Sequence, residues 1–399
     1  MKRPFLILTL AITILFSFLS VNSIKAQFPT DSARIYLLTA SPGTELYSVF
    51  GHSAIEIVDK THDVDFVYNY GTFDFKTPHF YEKFVFGRLL YSLSIARTDD
   101  FIHEYLESGQ AVFQQALNLT NAEKWKLIKS LEDNYMPSNR YYRYDFLYDD
   151  CSTRIRDIIE KSVDSKLGYS NISALKNYSF RRLLDAKIKT DLWITLGFDL
   201  MLGPSADKIA DTREFMFLPD HLMNILGDAS IQKNGSIRRI TQPYLQIMPN
   251  TIIKQTTSFY FSPIFIFSIL LILVITFSIS GYNKKNYWRT FDIILFVLTG
   301  LLGILFIVLW YGSLHKVLCQ NMNLLWANPL NLIIMVGLII NRNAKWFKYA
   351  LYITGCFVIV FIPVSFVLTQ HFPLISYILD LIILIRFIRI YKAIDKGMY

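Results

Sequence analysis

The stretch Tyr144-Asp-Phe-Leu-Tyr-Asp-Asp-Cys-Ser-Thr-Arg-Ile-Arg-Asp-Ile-Ile159 decides the fold, because it passes from a polar loop into an amphipathic helix at a cysteine. Ile155, Ile158, Ile159 and Val163 recur at the spacing of one buried helical face, and Asp149 or Asp150 supplies the N-cap. Counting back four from Ile155 sets Cys151 in the first turn, facing the interior, beside unpaired N–H groups and the positive end of the helix dipole. Such surroundings lower a thiol's pKa and make it nucleophilic. The neighbouring aspartate acts the other way, since negative charge disfavours a thiolate. A base has to come from elsewhere in the chain.

Toward the N-terminus, Arg34–Thr39 reads as a strand closed by the turn Ser41-Pro42-Gly43. Gly51-His-Ser-Ala-Ile-Glu-Ile-Val58 alternates, with Ser53, Ile55 and Ile57 on one face and His52, Ala54, Glu56 and Val58 on the other. The polar run Asp59–Asp63 is a turn and Val64–Tyr70 the returning strand, so the pair is a hairpin. A centre at Lys60 and Thr61 sets His52 directly opposite Asn69. Asp74 or Glu56 takes that place if the register differs. Helical patterns follow over 77–90 and 98–108, then a strand over 114–119 and a capping box, Thr120-Asn-Ala-Glu123, opening a helix to about Asn134. The segment 165–255 reads as short helices and turns without a catalytic pattern.

The chain has 399 residues, 52% of them hydrophobic, which implies a membrane protein with a soluble portion. Residues 1–26 join Lys2 and Arg3 to an apolar run and end in small residues, as in a secretory signal peptide; an uncleaved anchor is the other reading. Either way 27–255 is exported. Of the three cysteines only Cys151 lies there, so no disulfide can form within that segment. A free thiol there is either reactive or a small buried hydrophobe.

From 256 to 399 the sequence reads as a five-helix transmembrane domain, with spans near 259–279, 291–311, 324–340, 347–368 and 373–391. Lys284, Lys285 and Arg289, then Arg342, Lys345 and Lys348, then Arg386, Arg389, Lys392 and Lys396 fall on one side, which the positive-inside rule makes cytoplasmic. The expected arrangement is a bacterial inner-membrane protein, multi-pass, with a periplasmic N-terminal domain and a cytoplasmic C-terminus. The third span is short and interrupted by Asn328-Pro329. In the loop before it, His315, Asn321, Asn323 and Asn328 are placed to bind lipid headgroups or to seat the soluble domain. In the plainer reading they are helix-end polarity, with Trp326 an interfacial anchor.

A cysteine at a helix start, a histidine on a strand and a polar group to orient the imidazole are the parts of a thiol nucleophile site. Phe50-Gly-His-Ser-Ala-Ile-Glu-Ile57, Tyr68-Asn-Tyr-Gly-Thr-Phe-Asp-Phe75 and Asp150-Cys-Ser-Thr-Arg-Ile-Arg-Asp157 resemble the signatures of the Lnb N-terminal periplasmic domain. Asn321-Met-Asn-Leu-Leu-Trp-Ala-Asn-Pro-Leu330 resembles the membrane domain that accompanies it. The resemblance implies an α+β, circularly permuted papain-like fold akin to lecithin:retinol acyltransferase, and a lipoprotein N-acyltransferase of Bacteroides-type bacteria. It matches Cys151 to the nucleophile and His52 to the base; Asn69 is the geometric choice for the third member. The sequence departs from the expected pattern at Asp150, where Asn would precede the cysteine. The implied partners are a phospholipid acyl donor, a lipoprotein acceptor and the membrane, with no cofactor, metal or nucleic acid. A cell-wall cysteine peptidase or amidase, and a non-enzymatic membrane assembly factor, are the rival readings.

Overall fold

A computed structural model describes residues 31–170, 177–233, 235–252, 258–279, 285–340 and 344–395. The signal segment, and the boundary drawn at 255, lie outside the described residues. The exported part runs β1 (Arg34–Ala40), β2 (His52–Asp59), β3 (Val64–Thr72), α1 (Phe80–Val85), β4 (Leu90–Arg97), α2 (Thr98–Ser108), β5 (Val112–Ala116), α3 (Asn121–Tyr135), β6 (Tyr141–Arg143) and α4 (Cys151–Ser162). It continues through β7 (Leu167–Gly168), α5 (Phe180–Ile188), α6 (Leu192–Met201), α7 (Pro219–Asp228), β8 (Ser230–Lys233), β9 (Ser236–Arg239) and β10 (Leu245–Met248). The class is α+β, as expected.

Among the described residues the main sheet has the order β10-β5-β1-β2-β3-β4-β6, every neighbour antiparallel. Period-two alternation sorts β2 as read from sequence. Ile55 and Ile57 enter the large core with Ile155, Ile158 and Ile159 of α4, while Ala54 joins Leu38, Val67 and Phe101 on the α2 side. Each fully buried isoleucine contributes about 1.5–3 kcal/mol, so the four-residue periodicity of α4 fixes which way Cys151 points. The Thr120–Glu123 capping box is present at the start of α3.

Two expectations change. The helix expected over 77–90 is only α1, because Leu90 already begins β4, where Tyr91, Leu93 and Ile95 alternate. The hairpin register also differs: Ile55 pairs with Tyr68, and continuing that ladder sets Gly71, not Asn69, across from His52. The shift is two residues, which preserves the face each side chain occupies.

Beyond the sheet domain lie α8 (Pro263–Ile279), α9 (Lys285–Gly312), α10 (Asn331–Ile340), α11 (Lys345–Ser365) and α12 (Leu374–Asp395). Among the described residues two stretches, Trp288–Gly312 and Lys345–Ser365, are long and apolar enough to cross a bilayer; α8 and α10 are shorter. The third span expected over 324–340 is therefore not one membrane-length helix: α10 has 10 residues, about 15 Å, and begins only after Asn328-Pro329. The segment before it descends beside α9, where a Cβ on Gly303 would lie 2.2 Å from the Ala327 carbonyl. Irregular backbone at that depth is tolerated because protein surrounds it. Asn331 donates to Thr299 Oγ1 at 2.9 Å, and Ser376 donates to Asn323 Oδ1 at 2.9 Å. Trp326 is fully buried and donates to Asn323 Oδ1, so it is no interfacial anchor.

Candidate active site

Cys151 is the first residue of α4 and Asp150 its N-cap, with the Thr153 N–H donating to Asp150 Oδ1 at 2.7 Å. Thr153 completes a reciprocal box by accepting the Asp150 N–H at 2.7 Å. The thiol is 4% exposed. His52 opens β2, directly after Gly51, whose φ of +83° and approach to the Ala40 carbonyl leave no room for a Cβ. Gly71, φ +90°, sits between the partners: a Cβ there would be 3.7 Å from Cys151 Cβ and from His52 Cε1. The β3–β4 ladder shifts register between Tyr70 and Thr72, a bulge of the kind that re-aims strands beside sites.

His52 Nε2–H donates to Asn69 Oδ1 at 2.5 Å, leaving Nδ1 for the thiol. Burial alone would push the Cys151 thiol up. The charge of a protonated His52, its hydrogen bond, the Ser53 N–H and the Ser152 hydroxyl outweigh burial and bring it down to about 7. Burial likewise lowers His52, but the thiolate's charge and hydrogen bond, then Asn69, then distant Glu104, hold the imidazole above its ordinary value. The two shifts agree: the resting pair is thiolate and imidazolium. Asp150 is pushed well above the usual carboxylate range by burial and then by the Cys151 thiolate, against its hydrogen bonds from Thr153. A protonated Asp150 has the shape of the asparagine expected there and adds no charge beside the thiolate.

The structure thus brings Cys151, His52 and Asn69 together, though Asn69 arrives as a diagonal neighbour of His52 and not as its direct partner. The two alternatives for the third member lie elsewhere. Glu56 Oε2 accepts from Gln114 Nε2 at 2.6 Å, and Asp74 caps an exposed turn by accepting the Lys76 N–H. Sequence reading missed Gly71 and the Ser53–Ser152 hydroxyl pair at 3.1 Å. Gly71 was legible only as a glycine inside a strand pattern.

Cys151, His52 and Asp150 open into a cavity of about 480 Å³ lined almost wholly by apolar and aromatic side chains, a size usual for ligand sites. Its walls come from regions that carried no catalytic signal. The helix α6 contributes Ile194, Phe198 and Met201, and the loop after α9 contributes His315, Val317 and Leu318. That loop does seat the sheet domain. The Leu314 N–H donates to the Phe86 carbonyl at 2.9 Å, the Gly203 N–H to the Val317 carbonyl at 2.7 Å, and His315 packs on Phe146 at 4.6 Å between ring centroids. Asn321 reaches the Leu200 carbonyl at 2.6 Å. Arg181, buried, pairs with Asp207 at 2.8 Å and Asp199 at 3.2 Å, and donates to the Leu202 carbonyl, fixing the segment after α6.

Residues 20–186 match the family model described as the Lnb N-terminal periplasmic domain, and residues 254–397 match that of the Lnb transmembrane domain. The chain belongs to the Lnb family. No curated protein and no solved structure matches it. Lnb membership makes it a protein of a membrane lipoprotein N-acyltransferase family, held in the inner membrane with its N-terminal domain in the periplasm. In the Lnb chain the periplasmic match ends within α5, so α6, which walls the cavity, lies outside both matches.

Proposed function

We propose that this Lnb protein moves an acyl chain from a phospholipid, through a thioester on Cys151, to the N-terminal amine of a diacylated lipoprotein. The observation that carries the reading is the joining of a thiolate–imidazolium pair to a cavity with apolar walls shared by the periplasmic and membrane domains. A peptidase cleft would need hydrogen-bonding walls for a polar backbone, and an assembly factor needs no activated thiol.

In the first half-reaction the thiolate attacks the ester carbonyl, the C–O bond breaks, and His52 Nδ1 gives its proton to the departing lysophospholipid oxygen. In the second the amine attacks the thioester, His52 takes the amine's proton, and the thiolate leaves. First-turn N–H groups of α4 are the donors for each oxyanion, that of Thr153 being engaged by Asp150. Asn69 orients the ring without adding charge. We take the order of His strand before Cys helix as a circular permutation of the papain-like arrangement, and the membrane part as five spans with a cytoplasmic C-terminus. Residues 1–26 would be the signal peptide, 27–255 the transferase domain and 256–399 the membrane domain.

The test is incubation with isotope-labelled phospholipid followed by mass spectrometry. A hydroxylamine-labile acyl group on Cys151, and its arrival on a lipoprotein amine, are expected. Cys151→Ser should keep the fold and lose activity by roughly a thousandfold or more, His52→Ala nearly as much, and Asn69→Ala about 10–100-fold. Substantial transfer by Cys151→Ser would sink the covalent route.

A further inference from the structure

The cavity has an entrance whose position the mechanism does not use. The exposed members of its lining are Leu46 and Tyr47 on the loop before β2, Val85 at the end of α1, and Gly197 on α6. These mark the mouth, and none is charged. Two of its three edges are bonded to the ends of membrane helices. At α1, Ser313 Oγ donates to the Val85 carbonyl at 3.2 Å and Arg88 donates to the Gly312 carbonyl at 3.1 Å, where α9 ends. At α6, Trp193 Nε1 donates to the Phe261 carbonyl at 2.9 Å, just before α8 begins at Pro263. The mouth is therefore level with the periplasmic ends of the membrane helices. Its third edge is aromatic: Tyr47, 58% exposed, meets Phe73 and Phe75 edge-on at 6.1 and 5.9 Å, and Leu46 beside it is 51% exposed. Exposed apolar groups continuous with a membrane surface mark a contact with lipid.

We propose that the mouth opens sideways into the periplasmic leaflet, with Leu46 and Tyr47 set among the lipid tails, so that the donor's acyl chain slides from the bilayer into the cavity without passing through water. The inference rests on the acyl-transfer reading for the identity of the chain, though the position of the mouth does not. It follows that the donor is drawn from the bilayer and not from lipid dispersed in water, and that the headgroup stays outside the cavity at the rim.

Two measurements on the full-length protein in lipid nanodiscs test this. Leu46→Trp should add tryptophan emission quenched by lipids brominated along their tails, relative to the unsubstituted protein. Leu46→Asp should lower Cys151 acylation from bilayer phospholipid at least tenfold more than acylation by a short-chain, water-soluble ester. An added tryptophan that brominated tails leave unquenched, or an equal loss with both donors, would overturn the lateral entrance. If the unsubstituted protein forms no acyl-enzyme from phospholipid while the added tryptophan is quenched, the acyl-transfer reading fails and the mouth's place in the bilayer stands.

Discussion

The ionisation of one sulfur governs what the site can do. The thiol titrates near 7 and His52 titrates above its usual value, so the thiolate fraction grows as pH rises through 7 while the imidazolium persists. Alkylation of Cys151 by a small haloacetamide should therefore be half-maximal near pH 7. In His52→Ala burial acts without the opposing cation, and the midpoint should move above 8. An unchanged midpoint would mean that the imidazole does not set the thiol's ionisation. Asp150 carries the opposite lesson about charge. Its folded-state pKa lies above the carboxylate value of the unfolded chain, so the native state holds a proton that the unfolded state has lost, and stability falls as pH rises through the folded pKa. Asp150→Asn keeps the cap and removes that loss. It should raise Tm by a few degrees at pH 8, with no gain below about pH 4. A gain independent of pH would assign the effect to packing. The sequence gave no warning of this, since the local charge beside Cys151 depends on burial, which a string of letters leaves open.

At the level of elements, the helix of the cysteine and the first hairpin could be read because each has one apolar face, and period decides the face. Register is a different matter. The loop residues Asp59–Asp63 accommodate more than one turn centre, and Asp59 takes hydrogen bonds from the Thr61 N–H and Ser32, which closes the turn later than a centre at Lys60 and Thr61. The resulting slip of two residues left Asn69 on the correct face, and a long imidazole spans the diagonal. The strand β4 was missed although Tyr91, Leu93 and Ile95 alternate, because the preceding helical pattern was carried through Leu90. The bulge at Gly71 is where element geometry and site geometry coincide. A Cβ there meets Tyr144, Cys151 and His52 only at ordinary contact distances, so the cost of Gly71→Ala is backbone strain at φ +90° and not a clash. That strain is worth about 1–2 kcal/mol. Urea denaturation should show this loss at an unchanged m-value, and transfer should slow because relaxing the bulge moves Asn69 relative to His52. Unaltered stability would mean that the bulge tolerates a side chain.

For the whole molecule, contacts sort the helix ends into two sides without reference to charge. Phe261, Gly312, Gln370 and His371 all bond residues of the sheet domain or of α6 and the turn after it. At the opposite ends Arg289 donates to the Ile339 carbonyl at 3.2 Å, and Arg386 pairs with Asp292 at 2.6 Å. The positive-inside count made from sequence included Arg386, but that guanidinium is buried against Asp292 and Trp288, so it is a link between α9 and α12 and not a loop charge. Arg389 and Lys392 remain on that side, with Lys345 at the start of α11. The periplasmic domain's grip on Gly312 and Gln370 together with these charges supports a cytoplasmic end for α12. Reporters fused after Arg289 and at the C-terminus should behave as cytoplasmic, and one inserted within 312–323 as periplasmic. The loop reporter should also abolish transfer, since His315, Val317 and Leu318 wall the cavity. A periplasmic C-terminus would refute the five-span count and would mean that the descending segment 319–330 with α10 enters and leaves the membrane on one side.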